Sequence, residues 1–246
     1  MRNQKRDRSA FKVNVVTNLV LGALIVSVGA LCFAPMDEDV TAEVAGAEIY
    51  RYANENTGGV SLMFNVYMGT SEVYRILDIL DAHSAKATFF IGGCWADDNV
   101  ECLRAIYAKG HEIGNHGYFH KDHSKLSQDA NLREIDDCNR FIELSIGQKP
   151  TLFAPPSGAY GDAMLNACQA LGMKTILWSK DTIDWRDQNA ALIYTRATKN
   201  VKGGDFILMH PTPATADALD DILNYYQSNS LKLVTVSENL AFKQGA

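Results

Sequence analysis

The sequence predicts an α/β domain on a parallel sheet, open or closed into a barrel, preceded by one apolar segment. Three observations carry that expectation. Seven short β-rich runs alternate with helical patterns between residues 60 and 236. Polar clusters follow five of the seven runs. Residues 13–34 are apolar and uncharged. Strand–helix units in series imply parallel strands, and such sheets place reactive groups in the loops after the strands' C-terminal ends.

The β-rich runs fall at 60–66, 87–91, 112–115, 151–154, 174–178, 206–209 and 232–236. Between them lie helical patterns such as 73–83, where Val73, Ile76, Leu77 and Leu80 share one face, and 132–146. Gly203, Gly204 and Pro213 punctuate the last third. The clusters at the strand ends are Asn65, His116 to His123, Pro155 to Gly158, Asp181 to Trp185, and His210 with Pro211.

The 246 residues are 47% hydrophobic and 9% aromatic, an ordinary globular balance. Arg2, Lys5, Arg6, Arg8 and Lys12 against Asp7 give residues 1–12 a charge of +4, and residues 13–35 carry none. The chain's formal −6, less that +4, leaves −10 for the remainder. So acidic a domain is unsuited to nucleic acid, which rewards a basic face. Residues 13–35 are long enough to cross a hydrocarbon core, as a retained anchor or an uncleaved signal. The basic segment 1–12 should stay cytoplasmic, placing the rest outside. A cleaved signal peptide ending near Ala45-Gly46-Ala47 is the alternative. Residues 36–58 read as a polar linker, and 59–246 as the folded domain, expected as a monomer. Four cysteines lie beyond the anchor, and an oxidising compartment permits a Cys94–Cys102 disulfide.

His116 and His120 are four apart, a spacing that lets two imidazoles converge on one cation. An isolated pair of this kind is more often a hydrogen-bonded loop feature. Its place on the rim beside His210 is what favours the metal reading. Asp184 is placed to orient His210 as a proton donor, although Asp181 and Asp184 could equally cap a turn. Trp95, Trp185, Tyr67 and Tyr118 could stack on sugar rings, though core packing is the commoner fate of such aromatics. Ser157 as an acyl nucleophile is set aside, because PPSGAY is not a nucleophile elbow.

Four stretches in order, KATFFIGG (86–93), GHEIGNHGYFHKDHSKLS (110–127), WSKDTIDW (178–185) and GGDFILMHP (203–211), resemble the polysaccharide deacetylases with the NodB homology domain. The second stretch and the apolar segment resemble the spore-associated branch of Gram-positive bacteria. The resemblance implies a distorted (β/α)7 barrel and a divalent metal, zinc first, with cobalt, manganese or nickel as alternatives. It implies hydrolysis of N-acetyl groups on a cell-wall glycan, peptidoglycan or chitin-like, by a membrane-held protein. His116 and His120 would be ligands, and His210, positioned by Asp184 and Trp185, would protonate the leaving amine. Leu208 would meet the acetyl methyl, and Pro156, Ser157 and Tyr67 would wall the groove.

Three positions depart from that family's pattern. Asn65 stands where a carboxylate base is expected, and an amide takes up no proton at neutral pH. Val66 replaces a carboxylate ligand, and Ala154 an arginine that pairs with the base. The losses agree, since a guanidinium without its carboxylate would be costly. Two readings follow. One is an atypical deacetylase drawing a third ligand from His123 or Asp122. The other is a glycan-binding pseudoenzyme.

Overall fold

The structure, a computed structural model, describes residues 48–242. Its strands are β1 (Ile49–Tyr50), β2 (Gly59–Val66), β3 (Thr88–Ile91), β4 (Glu112–Asn115), β5 (Leu152–Phe153), β6 (Lys174–Ile176), β7 (Lys180–Asp181), β8 (Phe206–Met209) and β9 (Lys232–Leu233). The helices are α1 (Thr70–Ala82), α2 (Gly93–Asp98), α3 (Val100–Ala108), α4 (Gln128–Ile146), α5 (Asp162–Ala170), α6 (Asp184–Asp187), α7 (Ala190–Thr198), α8 (Pro213–Ser228) and α9 (Val236–Ala241). The sheet runs β1-β6-β5-β4-β3-β2-β8-β7, with β9 also on β2, and every ladder is parallel.

These strands form an α/β half-barrel, because no ladder joins β1 to β7 at the two ends of the path. The expected run 174–178 stops at Ile176 as β6, which pairs with β5 and β1, and a separate strand beyond that run, β7, pairs with β8. Among the described residues, β7 and β1 bring the seven expected strands to nine. The expected linker 36–58 also ends early. Ile49 and Tyr50 ladder onto Thr175 and Ile176, and Tyr52 makes an isolated bridge to Asp205, so its last residues join the sheet at the edge beside β6. A two-residue strand carries no alternation to read, which is why residues 49–52 look like linker in sequence.

Successive residues of a strand face opposite sides, and both sides here are buried. Val60, Leu62, Phe64 and Val66 of β2 face the helices, with Val73, Ile76, Leu77 and Leu80 of α1 and Leu219 and Ile222 of α8. Met63 packs inside the curve with Phe90, Leu152, Phe206 and Leu208. The ladders set Met63 against Leu208 and Asn65 against Phe90. This register carries Asn65 and Leu208 to the same rim, at the strands' C-terminal ends.

Among the described residues no helix is long and apolar enough to cross a membrane, and residues 1–35 lie outside them. The Cys94–Cys102 disulfide does not form. Cys94 is exposed, whereas Cys102 turns inward with Leu103 and Ile106, its thiol pushed up to about 11 by burial.

Candidate functional site

His116 follows β4 directly, and its N–H donates to the Ile91 carbonyl at 2.9 Å, as if extending the ladder. Asn115 anchors the loop from behind. Its side chain donates to the Ile135 carbonyl and to Asn139 Oδ1, and accepts from the Gly117 N–H. Gly117 has φ +78, and a Cβ there would lie 2.8 Å from His123 Nε2, so the turn requires glycine. His120 also adopts a left-handed φ of +51, unusual for a side chain with a Cβ. Glu134 of α4 fixes the tip by accepting from the Phe119 N–H and pairing with Lys121.

The loop places the two histidine rings 5.1 Å apart between centroids, at 66°. They line a pocket of about 250 Å³ with Asn65, Tyr67, Ser157, Trp178, Asp181, Trp185, Leu208 and His210. A broader groove of about 700 Å³ between α7 and α8 holds no histidine or tryptophan. The expected residues thus converge, with exceptions. Val66 packs into the helix-facing core and Ala154 into the interior one. Pro156 is buried and does not line the pocket, while its neighbour Ser157 does. Trp95 and Tyr118 pack in or against the core, so neither serves as a sugar platform. Asp181, from the expected rim cluster 181–185, joins the wall, and Trp178, the last residue of the expected run 174–178, joins it unforeseen.

His210 is held from α6. Its Nδ1–H donates to Asp184 Oδ1 at 2.8 Å, and its backbone N–H to Oδ2 at 2.6 Å. Asp184 also accepts from the Thr215 hydroxyl and the Trp185 N–H, so the buried carboxylate is saturated. On the facing side, His116 Nδ1 lies 2.7 Å from the Ala154 carbonyl, which only accepts, so Nδ1 carries the hydrogen. His116 Nε2 is therefore a bare lone pair, buried without a partner, as is Asn65 Oδ1. Burial, then the neighbouring His120, holds His116 well below the usual imidazole range. Burial lowers His120 as well.

A divalent metal is the group such a pair suggests, and His116 Nε2 fits one. The rest of the donor set does not. A catalytic zinc needs three protein ligands and an open position, and no third histidine, cysteine or carboxylate completes a group among the described residues. His123 donates from Nδ1 to Asn131 Oδ1 at 2.6 Å and is buried against Phe153. Asp122 caps the turn at His123–Lys125 and pairs with Lys125. Both are loop anchors. Tyr67 lies 4.0 Å from the His120 ring and about 6 Å from those of His116 and His210, between centroids. Burial, then Asp184, raises its phenol, which stays neutral and is a poor ligand.

The sequence profile of the family described as polysaccharide deacetylase matches residues 53–176. The chain belongs to the polysaccharide deacetylase family. It is 38% identical over 190 residues to the uncharacterized protein YlxY of Bacillus subtilis, covering 77% of this chain and 59% of that one. The chain therefore spans less than two thirds of that relative's length. It is 34% identical to a peptidoglycan-N-acetylglucosamine deacetylase of Bacillus cereus, over 69% of this chain and 82% of the relative. Among solved structures, a Bacillus anthracis protein described as a CE4 family pseudoenzyme superposes with a TM-score of 0.78. It is 34% identical, over 81% of this chain and 71% of its own. A mutant of that pseudoenzyme, described as having restored enzymatic activity, aligns with the same score at 32% identity, over 81% of this chain and 73% of its own.

Proposed function

We propose that this domain binds cell-wall glycan in the rim pocket without hydrolysing it. One observation carries the reading. The two residues that would complete the chemistry are an amide at Asn65 and an isopropyl group at Val66, the latter turned into the helix-facing core. The pocket that remains is a groove for a sugar, with Trp185 more than half exposed at its edge. The finer fold, a distorted (β/α)7 barrel, is supported by the short step between β6 and β7, which pair with opposite ends of the sheet. A single-pass anchor at 13–35, outside the described residues, would hold a monomeric domain at the outer face of the membrane, with 1–12 inside. That placement, and a spore association, rest on sequence alone.

The second reading, slow deacetylation with zinc or a similar ion, is favoured by the intact His210–Asp184 pair beside His116 and His120. Loss of a general base costs ~10²–10⁴-fold, which leaves room for residual turnover. Metal content and acetate release from N-acetylated glycan, with and without added Zn²⁺ or Co²⁺, separate the two. The binding reading expects glycan retention and no acetate. Acetate release that disappears in His116→Ala would overturn it. Asn65→Asp, which returns a carboxylate to a pocket-lining position, should raise metal affinity and any acetate release above that of the natural chain.

A further inference from the structure

The two polar atoms that pocket-lining side chains bury without a partner are both acceptors. His116 Nε2 is a bare lone pair, and Asn65 Oδ1 has no donor, both on side chains more than nine-tenths buried. The carboxylate of Asp181 lines the same pocket, accepting only from the Ile183 N–H through Oδ1. Three aromatic side chains, Tyr67, Trp178 and Trp185, complete the wall, and no lysine or arginine lines it. Ala154 sits where the family resemblance expects an arginine, so the deep side has no cation of its own.

A group that satisfies such a wall must donate several hydrogens and tolerate aromatic faces. An amino sugar's ammonium offers three N–H donors and a positive charge, and aromatic faces attract cations. An acetamide offers one N–H and adds a carbonyl oxygen that itself needs donors. From this inventory we infer that the pocket recognises the free amine of a de-N-acetylated amino sugar in the glycan, in preference to the acetylated form. The inference rests on the glycan-binding reading and specifies its ligand. Chemically, it makes the domain a reader of the product left when an acetyl group has been removed by hydrolysis. Leu208, which would suit an acetyl methyl, is the feature that fits the other form, and the experiment sets the two against each other.

Titration calorimetry of the full-length protein with a short glucosamine oligomer and its fully N-acetylated counterpart, at a pH where the amine is charged, decides it. The amine form should bind about tenfold tighter. Asn65→Leu and His116→Ala should each erase that preference, and neither replaces a charged side chain. Because the replaced side chains are uncharged, the variants separate the pocket from the general attraction of an acidic surface for a polycation. Asn65→Leu is nearly isosteric and guards against failure of the histidine variant to fold. Equal or tighter binding of the acetylated oligomer would overturn this inference and leave the glycan-binding reading standing. Binding of neither would overturn both. A preference that survives in both variants belongs to the surface and overturns the assignment to the pocket.

Discussion

On one side of the pocket Asp184 accepts four hydrogen bonds, from the His210 ring and backbone, the Thr215 hydroxyl and the Trp185 N–H. On the other side, Asn65 and His116 each bury a polar atom with no partner. The contrast teaches which half of the site the fold itself depends on. A saturated buried carboxylate knits α6, β8's end and α8 together. Unpartnered acceptors contribute nothing of that kind and persist at a cost, which is the mark of a surface kept for something that arrives from outside.

The largest effect should follow an attack on the saturated side. Asp184→Ala strands the His210 ring and two backbone N–H groups, and should cost about 3–5 kcal/mol in denaturant unfolding. A loss below about 1 kcal/mol would erase the distinction between the two sides.

Acid should come next, through the histidines that burial keeps neutral. His116, His120 and His123 are lowered, and His111, outside the pocket, falls to about 4. Below about 6.5 the unfolded chain takes up protons that the folded chain refuses. Stability is therefore complete above about 6.5 and declines as the pH falls towards the folded values. For His111 alone the decline is on the order of 3 kcal/mol by about pH 4. Unfolding midpoints across that window check it, and His111→Gln should flatten the slope.

Asn65→Leu probes the unsaturated side. Because Oδ1 already lacks a partner, the change should cost less than about 1 kcal/mol, or stabilise. A loss comparable to that of Asp184→Ala would show that Asn65 holds the fold. Smallest of all should be the stability effect of Trp185→Ala, within about 0.5 kcal/mol for a side chain 54% exposed. Its glycan binding should nevertheless weaken severalfold, a split that calorimetry and thermal melting together would expose.

Much of this was legible in one dimension. The buried residues of α1 are the four read from periodicity, and β2 and β8 fall where the apolar runs are. His116, His120, His210 and Asp184 meet as their strand-end positions implied. The roles of His123 and Asp122 were not legible. A loop histidine reads alike whether it meets a cation or an asparagine on α4, and only the packed loop shows the bond to Asn131. Trp178 was hidden differently. It ends the apolar run read as one strand, and only the fold shows that it lies in the step between β6 and β7, facing the pocket.

Sequence by itself determined the alternation that makes a parallel sheet, the rim as the place for chemistry, and the loss of charge at Asn65, Val66 and Ala154. These follow from residue identity and period, which need no partner to be read. Tertiary structure alone decided where each side chain's hydrogen bonds go. It turned Val66 into the core, paired His116 with the Ala154 carbonyl, and left two acceptors without donors in a wall of aromatic rings. Hydrogen-bond satisfaction is a property of neighbours brought together from distant strands, and no single stretch of chain contains it.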